Sequence, residues 1–215
     1  MTNAANLTKI KFDDLFENKF QIERIQRFIY FFLLFNFILL VITFHHPIGD
    51  FGNYYYGSKF WRQGIDPLKF YQSIHFFNSE IRQYETGIFF ENYTPVPPFS
   101  LLFYLPFTLL KLSLAKVIFN LLGLFVFCFS LQRLIKVLNV FSPAFYLLPF
   151  IFLQPLYSNF HHGQAYLLVA ALLFEFYIAL QGNKRTTQAL IIALLFCLKI
   201  FPAFIAIIFL FKKNN

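Results

Sequence analysis

From Phe28 to Phe44, seventeen consecutive residues carry no charge. Wound as a helix at about 1.5 Å per residue, such a run covers about 26 Å, enough for the hydrocarbon core of a bilayer. Further apolar runs follow at 99–110, 114–132, 144–157, 165–181 and 189–211. Residue usage makes the same point. The chain of 215 residues is 58% hydrophobic and only 13% charged, where soluble domains carry about 25% charged residues. Its 35 Phe could not all be hidden in a soluble fold of this size without leaving adhesive patches. The fold class expected is therefore an all-α integral membrane protein, a polytopic helical bundle. Residues 28–215 form a single transmembrane domain with its first span at 28–44, behind a polar cytoplasmic segment at 1–27.

Several function classes fall away. The net charge is +8, but Lys and Arg come as pairs beside apolar runs (Lys111/Lys116, Arg133/Lys136, Lys184/Arg185, Lys212/Lys213). Pairs of this kind set topology. A nucleic-acid surface needs a basic stripe, and there is none, so nucleic acid is not an expected partner. Cys128 and Cys197 both lie in apolar runs with no CxxC, which predicts neither a disulfide framework nor a zinc site. No cofactor motif is present. Residues 1–27 are mostly polar and no small-residue cleavage site follows the first run, so that run reads as a retained anchor.

Residues 45–98 are the one long polar interruption. They hold Asp50, Asp66, Glu80, Glu85 and Glu91, half of the ten acidic residues, with six of the twelve Tyr and the single Trp. Their Phe and Tyr content predicts amphipathic helices lying on the membrane. The segment closes in "NYTPVPPF", where Pro95, Pro97 and Pro98 forbid a helix and then release one. The positive-inside rule puts 133–136, 182–185 and 212–213 in the cytoplasm, and "NFHHGQ" outside with the 45–98 loop. Residues 99–110 then form a shallow or re-entrant piece, and Lys199 stands at the outward tip of a hairpin broken at Pro202. The competing topology crosses with every run and leaves His161 and His162 in the cytoplasm.

Against this background a few polar residues carry chemical meaning. Asp50 sits in "GDFG", six residues past the first span, where a carboxylate near lipid is placed to accept a proton; a turn Asp bonding its own backbone is the plainer account. Tyr54, Tyr55, Tyr56, Lys59, Trp61 and Arg62 follow on one predicted helix. Aromatics are ordinary at the interface, but Lys59 and Arg62 suit a phosphate. Two HH pairs, His45–His46 and His161–His162, invite a metal reading, but adjacent His point apart, and phosphate donation by His161 or His162 fits better. Lys199, inside an apolar run at "CLKIFP", has a high cost at membrane depth unless it is functional or snorkels to an interface. Glu175 in "LLFEFYIAL" raises the same question. Asn6-Leu7-Thr8 and Asn92-Tyr93-Thr94 match the N-glycosylation pattern, a weak signal.

Taken in order, "GDFGNYYYGSKFWRQGIDPL", "YTPVPPFSLLFYLPFTLL", "HHGQAYLL" and "LKIFP" resemble the type C polyprenol-phosphate-dependent glycosyltransferases, most closely glycosyltransferase family 87, which includes bacterial mannosyltransferases. The stretches span residues 45–202. The resemblance implies a GT-C fold in the plasma (inner) membrane whose long first extracytoplasmic loop carries the catalytic Asp, here Asp50. It implies a polyprenyl-phosphate sugar donor, a hexose such as mannose, a lipid or glycan acceptor, and inversion at the sugar carbon. Lys199, with His162 or Arg62, would neutralise phosphate, while Gln164 and the Tyr cluster (Tyr54, Tyr55) line the sugar pocket. Against the family the chain is short and matches its N-terminal half, which implies truncation. Two other classes stay open. A flippase or transporter for a lipid-linked or anionic substrate would translocate rather than form a new glycoside, and a non-catalytic assembly subunit would do neither.

Overall fold

The computed structural model of the chain describes residues 2–44, 49–84, 98–199, 201–204 and 207. His45, His46, Glu85, Glu91, the Asn92–Thr94 match, Pro95, Pro97, Lys212 and Lys213 lie outside them. Among the described residues there is no strand. The helices are α1 (Thr2–Ile42), α2 (Gly49–Arg62), α3 (Pro67–Gln72), α4 (Ile74–Arg82), α5 (Pro98–Tyr104), α6 (Leu112–Leu138), α7 (Leu148–Ile151), α8 (Leu153–His162), α9 (Tyr166–Gln181) and α10 (Arg185–Leu198), with 3-10 turns at Leu105–Leu109 and Pro143–Leu147.

Among the described residues, two helices are long and apolar enough to cross a membrane: the Phe20–Ile42 part of α1, and α6. A third crossing exists if α8 and α9, bent by 118° at the break between them, make one broken span. The run at Phe28 is thus the far part of one continuous helix that starts at Thr2.

Local chemistry sets the helix ends. Asp66 caps α3, its carboxylate accepting from the Leu68 N–H at 2.9 Å with Pro67 in the first turn, so this loop acid serves the backbone. The Ser73 hydroxyl accepts from the Phe76 N–H and caps α4. Asn139, left-handed at φ 51, ends α6, and Gly163, at φ 65, ends α8. In α4, Phe77 and Ile81 are one turn apart and fully buried, while Ser79 and Arg82 are exposed, which gives the short helix an inward apolar face.

The phenylalanines divide between two destinations. One core gathers Phe51, Phe60, Phe70, Phe77 and Phe119 with Tyr54, Tyr55, Tyr56 and Tyr104, and so knits the loop helices α2–α4 to α5, α6, α9 and α10. A second core packs Phe28 and Phe32 of α1 against α6 and α8 through Leu124, Cys128, Leu156 and Phe160. Phe37 on α1, and Phe125 and Phe129 on α6, point outward from the two spanning helices, which suits a lipid environment. Arg133 of α6 donates to Glu175 of α9 at 2.7 Å, so the half-buried acid of an apolar run is paired across the helix interface.

Candidate active site

The site forms where the start of α2 meets the turn between α8 and α9. Two glycines allow the approach. A Cβ on Gly49 would stand 2.8 Å from the His162 Cα, and a Cβ on Gly163 would stand 2.5 Å from the Phe51 Cβ. Both distances are too short for real Cβ contacts, so Gly49 lies directly on the His162 backbone and Gly163 directly on the Phe51 side chain. Gly163 is needed twice over, because its φ of 65 also lies in the left-handed region that other residues resist.

α6 braces the turn from beneath. Lys116 and Asn120, one turn apart and both buried, donate to successive carbonyls at the end of α8. Lys116 Nζ reaches the His161 O at 2.6 Å and Asn120 Nδ2 reaches the Phe160 O at 3.2 Å. These are carbonyls that a helix C-terminus leaves without intrahelical partners. Lys116, expected as a flanking topology charge, lies inside the spanning helix and serves the turn.

On this platform Gln164 Nε2 donates to Asp50 Oδ2 at 2.6 Å. Asp50 is half-buried in the first turn of α2, where a helix N-terminus favours negative charge. One turn on, Tyr54 is buried and stacks on Tyr104 with ring centroids 4.8 Å apart. Burial, then the Asp50 charge, then Tyr166 push the Tyr54 hydroxyl up to about 12, so it keeps its proton and can donate. Tyr166, at the start of α9, accepts from Lys199 Nζ at 3.0 Å. Lys199 stands at the end of α10 in extended backbone. His161 stacks on Tyr157, and the two imidazoles of His161 and His162 meet edge to face at 4.5 Å.

The fold therefore gathers Asp50, Tyr54, His161, His162 and Gln164 at one place, with Lys199 tied in through Tyr166. Other expected residues lie elsewhere. Tyr55 donates from its hydroxyl to the Leu110 O at 2.8 Å, and Lys59 lies over the Tyr84 ring at 3.8 Å; both face a separate cavity. Arg62, in the last turn of α2, is exposed. Tyr166, Tyr104, Lys116 and Asn120 were not singled out for the site in advance. The spacing of Lys116 and Asn120, two polar residues one turn apart inside an apolar run, was the available signal.

Beside Lys199 an apolar groove of about 390 Å³ runs between α5, α6, α9 and α10, lined by Phe99, Phe103, Leu168, Leu172, Leu194 and Leu198. The cluster can thus offer a carboxylate, neutral donors and a cation, and Leu198, next to Lys199 in the chain, lines the groove.

The model of glycosyltransferase family 87 matches residues 93–215, more than half of the chain. The matched stretch contains His161, His162, Gln164, Tyr166 and Lys199; Asp50 and Tyr54 precede it. No curated protein and no solved structure matches.

Proposed function

The chain belongs to glycosyltransferase family 87 and is a membrane glycosyltransferase, and from that premise we propose that it moves a hexose, mannose-like, from a polyprenyl-phosphate donor to the hydroxyl of a lipid or glycan acceptor at the extracytoplasmic face of a plasma (inner) membrane, in a GT-C arrangement. The observation that carries this reading is the Asp50–Gln164 hydrogen bond of 2.6 Å next to the Lys199–Tyr166 pair.

Transfer with inversion requires three things at one spot. The acceptor oxygen attacks the anomeric carbon as the bond from that carbon to the phosphate oxygen breaks on the opposite face. The acceptor proton must go to a base, and Asp50 takes it. The departing phosphate leaves with the bonding electron pair and needs a cation, which Lys199 supplies. Gln164 holds the Asp50 carboxylate in place, and the neutral Tyr54 hydroxyl is available to a sugar oxygen. The apolar groove beside Leu198 suits a prenyl chain whose phosphate rests at Lys199. Arg62, being exposed, is less suited to phosphate than Lys199.

The test is transfer of labelled hexose from polyprenyl-phosphate hexose to an extractable glycoside by membranes carrying the chain. Removing a positioned base costs about a hundredfold to ten-thousandfold, so Asp50→Asn should lose transfer by at least about a hundredfold while the protein stays folded in detergent. Transfer at the wild-type rate by Asp50→Asn would sink the base assignment. Movement of the donor across the bilayer with no glycoside formed would favour a flippase instead.

A further inference from the structure

Tyr166 carries more chemistry than a tie to Lys199. Residues 164 and 166 flank Ala165, which is buried at the corner where α8 turns into α9. From this corner Gln164 reaches Asp50 and Tyr166 reaches Lys199. One short stretch therefore touches both ends of the cluster, the carboxylate and the cation. Tyr166 also lies close enough to Tyr54 to oppose its ionisation, as Asp50 does, so its hydroxyl shares the neighbourhood of the carboxylate.

We propose, resting on the function assigned above, that the Tyr166 hydroxyl is a second hydrogen-bond donor to the departing phosphate, beside Lys199. The Lys199 Nζ lies 3.0 Å from the Tyr166 oxygen and 4.1 Å from the centre of its ring. The ammonium thus meets the phenol from its ring face. It can only donate, so the phenol oxygen accepts. That bond leaves the phenol's own proton unused, and conjugation with the ring holds this O–H in the ring plane, away from the ammonium. Accepting from a cation also polarises the O–H and makes it a stronger donor. Tyr166 is 48% exposed, so an anion has access to it. Two donors this close together can each take one oxygen of the same phosphate.

The surroundings fit a phosphate that carries a prenyl tail. Leu168 comes two residues after Tyr166, Leu198 comes one before Lys199, and both line the apolar groove. The two donors thus adjoin, in the chain, the residues that such a tail would touch. As the bond from the anomeric carbon to the phosphate oxygen breaks, its electron pair goes to that oxygen. Fixed donors that keep their protons stabilise the charge as it grows. Tyr166 gives no proton away in this step; it holds the leaving group through a hydrogen bond.

The measurement is binding of farnesyl phosphate and of farnesol to the purified full chain in neutral detergent, read as the ratio of the two affinities. Wild type should prefer the phosphate. Tyr166→Phe keeps the ring under Lys199 and loses only the hydroxyl. It should lower that preference about tenfold or more, as loss of one hydrogen bond to a charged group does, and bind farnesol as before. Lys199→Met should lose at least as much. In the Lys199→Met background Tyr166→Phe should still lose preference several-fold, because the hydroxyl touches the phosphate itself and does more than hold the ammonium. Tyr177→Phe, which removes a phenol farther along α9, should bind as wild type does. Wild-type preference in Tyr166→Phe with loss in Lys199→Met would overturn the second donor and leave the proposed function standing. Retained preference in both variants, or no preference in wild type, would overturn the phosphate placement and the second donor with it. Equal loss of farnesol and farnesyl phosphate binding in Tyr166→Phe, an equal loss of preference in Tyr177→Phe, or no further loss in the double variant would each overturn direct contact.

Discussion

Gly163 and Phe51 are packed so closely that a Cβ on residue 163 would stand 2.5 Å from the Phe51 Cβ. That contact seats the loop helix α2 on the corner between α8 and α9, and it brings Asp50 to Gln164. It also joins the two halves of the candidate site, one from the polar loop and one from the apolar bundle. Gly163→Ala meets both this clash and a left-handed backbone at φ 65, which alone costs an L-residue about 1–2 kcal/mol. The variant should lower the thermal midpoint in detergent and lose glycosyl transfer together. A Gly163→Ala protein with wild-type melting and full activity would show that the seat is not needed.

Gln164 should affect catalysis more than stability. Its amide donates to an ionised acceptor, a bond of about 1.5–3 kcal/mol. Gln164→Ala should therefore cut kcat about tenfold or more, with little change in the melting midpoint because the residue is only half-buried. Gln164→Glu sets a second carboxylate against Asp50 and should fall below the Ala variant. Steady-state transfer assays at saturating donor read both outcomes, and a Glu variant faster than Ala would contradict the arrangement.

In the sequence Lys199 and the His161–His162 pair stand out beside apolar runs, Asp50 stands out in a Gly-flanked stretch just past the first span, and Gln164 enters only through the family resemblance. Their meeting is not a local property: Asp50 and Gln164 are 114 residues apart, and only the turn at Gly163 with the bracing from α6 closes that distance. Helical geometry explains the residues that did not join. At about 100° per residue, Tyr54 lies about 40° around the helix from Asp50, whereas Tyr55 lies about 140° and Lys59 about 180° away. The stretch read as one cluster thus divides between two faces of α2. Lys116 was hidden for the opposite reason, since a Lys near the edge of an apolar run looks like a topology signal until its carbonyl partner is seen. The legible part of the fold was its helical, membrane-crossing character; the 118° break between α8 and α9 depends on a left-handed glycine that sequence alone does not reveal.

Tyr54 gives the alkaline prediction. Its hydroxyl is pushed from 10.0 up to about 12 in the folded protein, first by burial and then by the Asp50 charge. The sign follows from linkage: below pH 10 the folded and unfolded chains both keep the proton, and above it the unfolded chain gives the proton up first. The stability contribution is complete below pH 10 and is lost as the pH rises towards 12. Wild type should therefore lose thermal stability more steeply across that window than Tyr54→Phe, which has no hydroxyl to ionise. Parallel curves for the two proteins would contradict the assignment.

Lys116 gives the last prediction, through its bond to the His161 carbonyl. The ammonium is buried in a spanning helix, 2.6 Å from the His161 carbonyl, and the next polar residue of α6, Asn120, takes the Phe160 carbonyl. Together they hold the end of α8 from which Gln164 reaches Asp50. Lys116→Met keeps the length and the apolar stem but leaves the His161 carbonyl without that donor. A charged hydrogen bond contributes about 1.5–3 kcal/mol, so the melting midpoint should fall, although relief of the desolvation cost of a buried cation works against the loss. Activity separates the two effects. If Lys116 positions the turn, Lys116→Met should lower kcat even where stability recovers, and Lys116→Gln, which restores a donor, should recover part of it. A Met variant that melts like wild type and turns over at the wild-type rate would show that Gln164 finds Asp50 without help from α6.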